Sequence, residues 1–147
     1  MREELLGIGA ILGALGLAYR IHYTRTESRR REFRDLVARI ISCAQGIEAL
    51  AIEYQQIDGT DVASPMKGEE IRKQFKCLGL MVTEFRQLSD DKTLGSALMR
   101  FRQKASGNLD QRFRKAVPRN DPLITEIEDS CRVFCNTAQI ACHSRFK

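Results

Sequence analysis

The sequence predicts an all-α fold, in which an N-terminal single transmembrane helix precedes a cytoplasmic antiparallel helical bundle of about four helices. Three observations predict this fold. The segment 5–19 carries no charged side chain. In the rest of the chain, apolar residues recur every three or four positions, which is the spacing of one helix face. No segment shows the alternation typical of a strand or the rhythm of a βαβ unit.

Composition sets the domain organisation. The chain has 147 residues, of which 43% are hydrophobic and 29% charged, so we expect one globular domain, residues 24–147, behind an anchor at residues 1–23. Ten glycines and three prolines exclude collagen-like and low-complexity chains. The five cysteines have no regular spacing, which favours a reducing compartment over a disulfide-bonded secreted domain.

The leading segment is best interpreted as a membrane anchor. As a helix, residues 5–19 cover about 22 Å, against roughly 30 Å of hydrocarbon. Arg20 can extend towards the headgroups, and Tyr19 and Tyr23 lie where an aromatic belt is expected, which lengthens the usable span. A buried or oligomerising helix and a cleaved signal peptide are the alternatives. Glu3 and Glu4 oppose the signal peptide, which requires a positively charged start.

The flanking charges predict the orientation of this anchor. Only Arg2 precedes the apolar run, whereas the membrane-flanking basic residues that follow it are Arg20, Arg25, Arg29, Arg30 and Arg31. Because positively charged flanks stay inside, we expect the N-terminus outside and the C-terminal domain in the cytoplasm.

Three glycines of the anchor are candidates for membrane helix packing. Gly9, Gly13 and Gly16 include one GxxxG pair, whose small residues let two helices approach closely. They therefore indicate a protein partner or a homo-oligomer. The alternative is that glycine is simply frequent in membrane helices.

The first bundle helix is predicted over residues 24–57. Apolar residues from Phe33 to Ile57 follow one another in steps of three and four, which is the stripe of a helix packed against other helices. Thr24 and Glu27 have the spacing of a capping box. The helix either restarts there or runs unbroken out of the membrane.

Four more helices are predicted, at about 65–88, 91–106, 109–117 and 122–145. The second has an apolar stripe from Ile71 to Phe85, and the third is stopped by Gly107. The fourth is a short amphipathic piece before Pro118. The last begins with Asp121 as N-cap and Pro122 at the first helical position.

The cysteines are candidate metal ligands, but core positions are the preferred interpretation. Cys131, Cys135 and Cys142 share one helix face, yet the last two lie about 10.5 Å apart along the axis, too far for one zinc ion. We expect them, with Cys43 and Cys77, in the core. The chain has no phosphate-binding loop, no metalloprotease motif and no nucleophile elbow. We therefore expect no catalytic residue, no cofactor and no metal, and no enzymatic activity.

A second basic cluster is a candidate patch for an anionic partner. It consists of Arg100, Arg102, Lys104, Arg112, Arg114, Lys115 and Arg119. Nucleic-acid phosphates, anionic membrane lipid and an acidic protein are its possible partners, with an unoccupied solvated face as the plain alternative. Phe101 and Phe113 fall on apolar stripes, which favours core packing over base stacking, so nucleic acid is not the favoured partner.

These features predict a single-pass, membrane-anchored helical interaction protein, acting as an adaptor or as an accessory subunit of a membrane-associated complex. One alternative is a protein that binds nucleic acid or anionic lipid through residues 100–119. The other is a helical effector or enzyme without a recognisable motif.

Overall fold

The computed structural model describes the backbone of residues 2–107, 109, 111 and 113–145; within the first helix it describes side chains at residue 17 and from residue 19 onward. This part of the chain forms four α-helices and no strand: α1 (Arg2–Gln55), α2 (Ala63–Ser89), α3 (Thr93–Ser106) and α4 (Pro122–Arg145). The predicted all-α class is therefore confirmed. The chain divides into two compact units, Met1–Arg34 and Asp35–Lys147.

Helix α1 runs without a break through the position of the predicted capping box. The Thr24 hydroxyl donates a hydrogen bond to the Arg20 carbonyl at 2.7 Å, which is the bond of a threonine inside a helix and not of an N-cap. Of the two alternatives for this region, the restart at residue 24 is wrong and the unbroken helix is correct. The helix ends at Gln55, two residues before the predicted end.

The core of the unit 35–147 is built from the predicted apolar stripes. The spacing of three and four residues identified most of the buried side chains of α1, α2 and α3, whereas the buried face of α4 is rotated from the predicted stripe. The principal buried side chains are Leu36, Ile40, Ile47 and Tyr54 of α1, Ile71, Phe75, Leu78, Val82 and Phe85 of α2, Leu94 and Phe101 of α3, and Ile124, Ile127 and Phe134 of α4.

Contacts between the helices make this unit a helical bundle. The ring centroids of Phe75 and Phe101 are 5.3 Å apart, and those of Phe101 and Phe134 are 6.1 Å apart, so one aromatic row joins α2, α3 and α4. Helices α1 and α2 meet where the Tyr54 ring packs on Gly68. Helices α1 and α4 line a common cavity.

Local chemistry sets the helix ends. The Asp121 carboxylate accepts the Leu123 N–H at 2.8 Å, which confirms the predicted N-cap of α4. Asp90 ends α2 in the left-handed region, with φ of 56°, a conformation that aspartate tolerates better than most residues. At Gly107, which follows α3, a Cβ would lie 2.8 Å from the Gln103 carbonyl oxygen, so a side chain here would require a shift of the backbone.

The predicted short helix 109–117 is wrong. The described residues of this segment form turns and irregular backbone. The Ala116 and Val117 N–H groups donate to Asp58 and Gln55 in the α1–α2 region and not to a preceding turn of helix. Phe113, predicted to pack in the core, is 85% exposed.

The prediction that all five cysteines are core residues is only partly right. Cys131 is buried, whereas Cys43, Cys135 and Cys142 are half-buried and Cys77 is exposed. On α4 the buried stripe is rotated towards Phe134 and Ala141. The larger apolar side chain of Phe134 takes the central position, which leaves Cys135 at the margin of the core.

Candidate functional site

Residues 113–117, which we call the strap, cross the end of α1 and the α1–α2 loop. The Gly59 N–H donates to the Arg114 carbonyl at 2.7 Å, and the Val117 N–H donates to the Gln55 carbonyl at 2.9 Å. The Ala116 N–H donates to the Asp58 carboxylate at 2.8 Å. These three bonds satisfy backbone groups that a helix would satisfy internally, so they fix the strap without regular structure.

Arg114 attaches the strap to the bundle through its side chain. Its guanidinium lies 4.0 Å from the centroid of the Tyr54 ring, and it donates to the Gln55 carbonyl and the Ser64 hydroxyl, each at 3.3 Å. The residue is only 8% exposed. In the described part of the chain, no carboxylate forms an ion pair with it. The aromatic face is therefore the main electrostatic partner of this cation.

Three buried polar atoms around Arg114 have no hydrogen-bond partner among the described residues. They are Nε of Arg114 and both side-chain amide atoms of Gln55. A buried polar group without a partner costs about 1–3 kcal/mol. The junction between the strap and α1 is therefore held in place at an energetic cost.

A groove of about 800 Å³ opens beside this junction. The end of α1, the α1–α2 loop, the first turns of α2 and the described residues 109, 111 and 113 line it. The side chains that form its walls include Tyr54, Ser64, Pro65, Leu109 and Phe113. The Tyr54 hydroxyl donates to the Leu109 carbonyl at 3.0 Å, which joins two of the residues that line the groove.

Large apolar side chains project into solvent around this groove. Val62 and Phe113 line it and are each 85% exposed, and Met66, one turn along α2 from Val62, is 73% exposed. Exposed apolar clusters beside a concavity mark interaction surfaces in soluble domains. We therefore take this groove and its three apolar side chains as the candidate functional site.

The structure does not bring the second basic cluster together as one open patch. Arg114 is buried, and Arg112 lies outside the described residues. The Lys104 ammonium is 2.7 Å from the Glu126 carboxylate, and the Arg119 guanidinium is 3.9 Å from that of Glu128. The exposed members are Arg100, Arg102, Lys115 and Arg119.

The predicted membrane-flanking arginines lie on α1 and are mostly exposed. Arg20, Arg25, Arg29 and Arg31 are exposed, and the Arg30 guanidinium lies 3.3 Å from the Glu27 carboxylate. Their predicted role beside a membrane stays a prediction.

Most of the predicted anchor lies outside the described side chains, including Gly9, Gly13 and Gly16. The apolar side chains that follow are exposed, namely Leu17, Tyr19, Ile21 and Tyr23. Among helices whose side chains are described, none has an apolar stretch long enough for a membrane crossing.

The thiols of Cys131 and Cys135 form a pair on consecutive turns of α4. Their sulfur atoms are 4.0 Å apart. Hydrogen bonding between the two thiols raises the pKa of Cys131 well above its ordinary value, and burial raises it further. The same hydrogen bond lowers the pKa of Cys135, against the effects of burial and of the Glu48 carboxylate. Within the described residues, no cluster of three or more His, Cys, Asp and Glu is placed to hold a metal ion.

Sequence reasoning missed the residues that shape the groove. Tyr54 was placed in the core as an apolar residue, and no local pattern marked its contact with Arg114, 60 positions along the chain. Ser64 and Gln55 carried no signal either. The one available clue was composition, since Asp58, Gly59 and Pro65 are residue types typical of loops.

Comparison of the chain with protein-family models, with curated proteins and with solved structures found no match.

Proposed function

We propose that this protein is a membrane-anchored helical interaction protein, whose bundle holds an apolar segment of a partner protein in the groove beside the strap. The observation that carries this proposal is the apolar rim of the groove, formed by Val62 and Phe113, with exposed Met66 one turn further along α2. Such a protein acts as an adaptor or as an accessory subunit of a membrane-associated complex.

The groove is suited to a peptide segment in both size and chemistry. Its volume of about 800 Å³ is that of a ligand site, and its exposed rim offers apolar area beyond the cavity itself. Covering apolar area contributes roughly 25 cal/mol per Å². A partner that covers Phe113 and Val62 together gains the most, because these two side chains are the most exposed large apolar residues described.

The leading segment supports membrane anchoring in this proposal. The run 5–19 is uncharged, and the exposed apolar residues that continue it, Leu17, Tyr19, Ile21 and Tyr23, point to different sides of α1 because two positions correspond to about 200° of helix. Apolar side chains on opposite sides of a helix, here with Arg20 and His22 between them, favour an apolar environment on both sides. The arginines beyond them favour the orientation with the bundle in the cytoplasm.

An anionic partner for residues 100–119 has weaker support. Arg114 is engaged by Tyr54, and two further cations of the cluster lie near acids of α4. Binding to phosphates requires several open cations on one surface. The described part of the basic cluster has fewer accessible cations than the sequence suggested.

Site-specific photo-crosslinking in intact membranes tests the groove. A photoreactive phenylalanine analogue replaces Phe113, and a matched chain carries it at Ile140, which is 69% exposed on α4. We expect a discrete protein adduct from position 113 and none from position 140, because only the first lies on the rim of the groove.

A second substitution shows whether the adduct depends on the apolar rim. Val62→Asp in the position-113 chain places a charge on the other exposed apolar residue that lines the groove and should strongly reduce the adduct. Leu80→Asp, on an exposed part of α2 away from the groove, should leave it unchanged. An adduct insensitive to Val62→Asp, or one with lipid alone, contradicts the proposal.

A further inference from the structure

We propose that Cys131 and Cys135 form a two-thiolate site for a thiophilic metal ion of low coordination number, Cu(I). The inference rests on the geometry of the thiol pair, on the cavity that it faces and on its donor set. It is independent of the groove.

The separation of the two sulfur atoms fits a bridging metal better than a disulfide. With metal–sulfur bonds of about 2.3 Å, sulfurs 4.0 Å apart subtend an angle of about 120° at the metal, and a linear arrangement needs about 4.6 Å. Small side-chain rotations supply that difference. A disulfide requires the sulfurs to close to about 2.05 Å and the Cβ atoms to about 4 Å, whereas helix neighbours four residues apart hold their Cβ atoms about 5–6 Å apart.

The pair faces a cavity that a cation can enter. Cys131, Cys135, Glu48 and Glu128 line a cavity of about 250 Å³ between α1 and α4. The two carboxylates give the cavity a negative wall. Arg132 also lines it, but its guanidinium lies 2.7 Å from the Asp129 carboxylate, which offsets its positive charge. Cys135 is half-buried, so one sulfur is accessible from the cavity.

The donor set selects the metal. Structural zinc sites take four ligands in a tetrahedron, and the described residues supply no cluster of three suitable ligands. Cys142 lies seven residues beyond Cys135, about 10.5 Å along the helix. Two thiolates alone suit a soft ion such as Cu(I). Binding transfers no electron: two copper–sulfur bonds form, and each thiol that carries a proton releases it to solvent.

Copper titration of the detergent-purified, reduced full chain tests this site. The probe is Cu(I) kept reduced and delivered from a chromophoric Cu(I) chelator, so that the loss of chelator colour reports transfer to the protein. We expect one Cu(I) per chain. Cys135→Ser, at a half-buried position that accepts a hydroxyl, should weaken binding by more than the roughly 100-fold typical of losing an outer-shell partner. Cys131→Ser should have the same effect.

The matched control is Cys77→Ser, an exposed thiol on α2 near Cys43, which should leave the affinity unchanged. X-ray absorption of the copper-loaded chain should show two sulfur neighbours. Equal copper affinity in the Cys135→Ser chain, loss of copper in the Cys77→Ser chain, or copper held between two chains overturns the proposal. Ready formation of a Cys131–Cys135 disulfide under mild oxidation overturns it as well.

Discussion

At the scale of single residues, Arg114 shows how a buried cation is retained without an acidic partner among the residues that the structure describes. Its stacking on Tyr54 contributes about 2 kcal/mol when desolvated, and its two hydrogen bonds add about 1 kcal/mol each. Removing the charge from water costs several kcal/mol. These terms nearly cancel, so the main contribution of Arg114 is to hold the strap in one position and not to add net stability.

Gln55 offers a direct test of the unsatisfied polar atoms at this junction. Its amide Nε2 and Oε1 are buried without partners among the described residues. Its backbone carbonyl accepts hydrogen bonds from Val117 and Arg114, and these bonds remain when only the side chain is replaced. Gln55→Met replaces the amide by an apolar group of similar length. We expect the free energy of unfolding to rise by about 1 kcal/mol, measured by urea denaturation followed by helical circular dichroism.

The control is Gln56→Met, at the half-buried neighbouring position, which should change the free energy of unfolding by no more than about 0.5 kcal/mol. If the Gln55→Met chain is less stable than the wild type, the Gln55 amide makes a favourable contact. That result contradicts our inference that its unpaired atoms destabilise the fold.

At the scale of elements, the strap depends on long-range bonds and should therefore open more readily than the helices. Its bonds reach residues 55, 58 and 59, and the cost of the unpaired atoms beneath it lowers its local stability. Arg114→Ala removes the side-chain attachment. We expect the Gly59 and Val117 amides to lose hydrogen-exchange protection in this variant, while amides in the middle of α4 keep theirs.

Lys115→Ala is the matched control for the strap, since Lys115 is the exposed neighbour of Arg114. It should leave the exchange of all these amides unchanged. If Arg114→Ala exposes the α4 amides to the same extent as Gly59, the strap is part of the cooperative bundle and our description of it as a separate element fails.

The helices and the strap also show what a sequence can and cannot specify. Steps of three and four residues identified the buried faces of α1 and α2 because burying one apolar stripe requires that spacing in any helical bundle. Residues 109–117 carry a similar spacing, but it was misleading. The bonds to Gln55, Asp58 and Gly59 outcompete a helix there, and no local pattern contains partners more than 50 positions away.

Long-range contacts also explain which parts of the candidate site could not be predicted from the sequence. The loop that borders the groove was predictable from Gly59 and Pro65, but the exposure of Phe113 follows from the failure of the predicted helix. Arg114 was grouped with its basic neighbours because charge is visible in sequence, whereas the Tyr54 ring that covers it is brought there only by the tertiary fold. The thiol pair is the intermediate case: the sequence placed Cys131 and Cys135 on one face, but only the structure gave their separation.

At the scale of the whole molecule, the chain joins a leading unit, 1–34, to a bundle unit, 35–147. The bundle buries its apolar stripes within itself, so its stability is supplied by its own core. The leading unit exposes apolar side chains from Leu17 to Tyr23 and follows them with arginines. Exposure of this kind is unfavourable in water at roughly 25 cal/mol per Å², which is the physical reason to expect an apolar environment for this unit.

Removing the leading segment tests that expectation. We expect the full chain to stay in carbonate-washed membranes and the chain lacking residues 1–23 to be released, because the deletion removes the uncharged run 5–19. Protease added to sealed cytoplasm-side-out vesicles should digest the bundle, as the arginine flank predicts. A matched chain with residues 5–19 in scrambled order keeps their hydropathy and should stay in the membrane. Release of the full chain by carbonate contradicts the anchor, and protection of the bundle from protease contradicts its orientation.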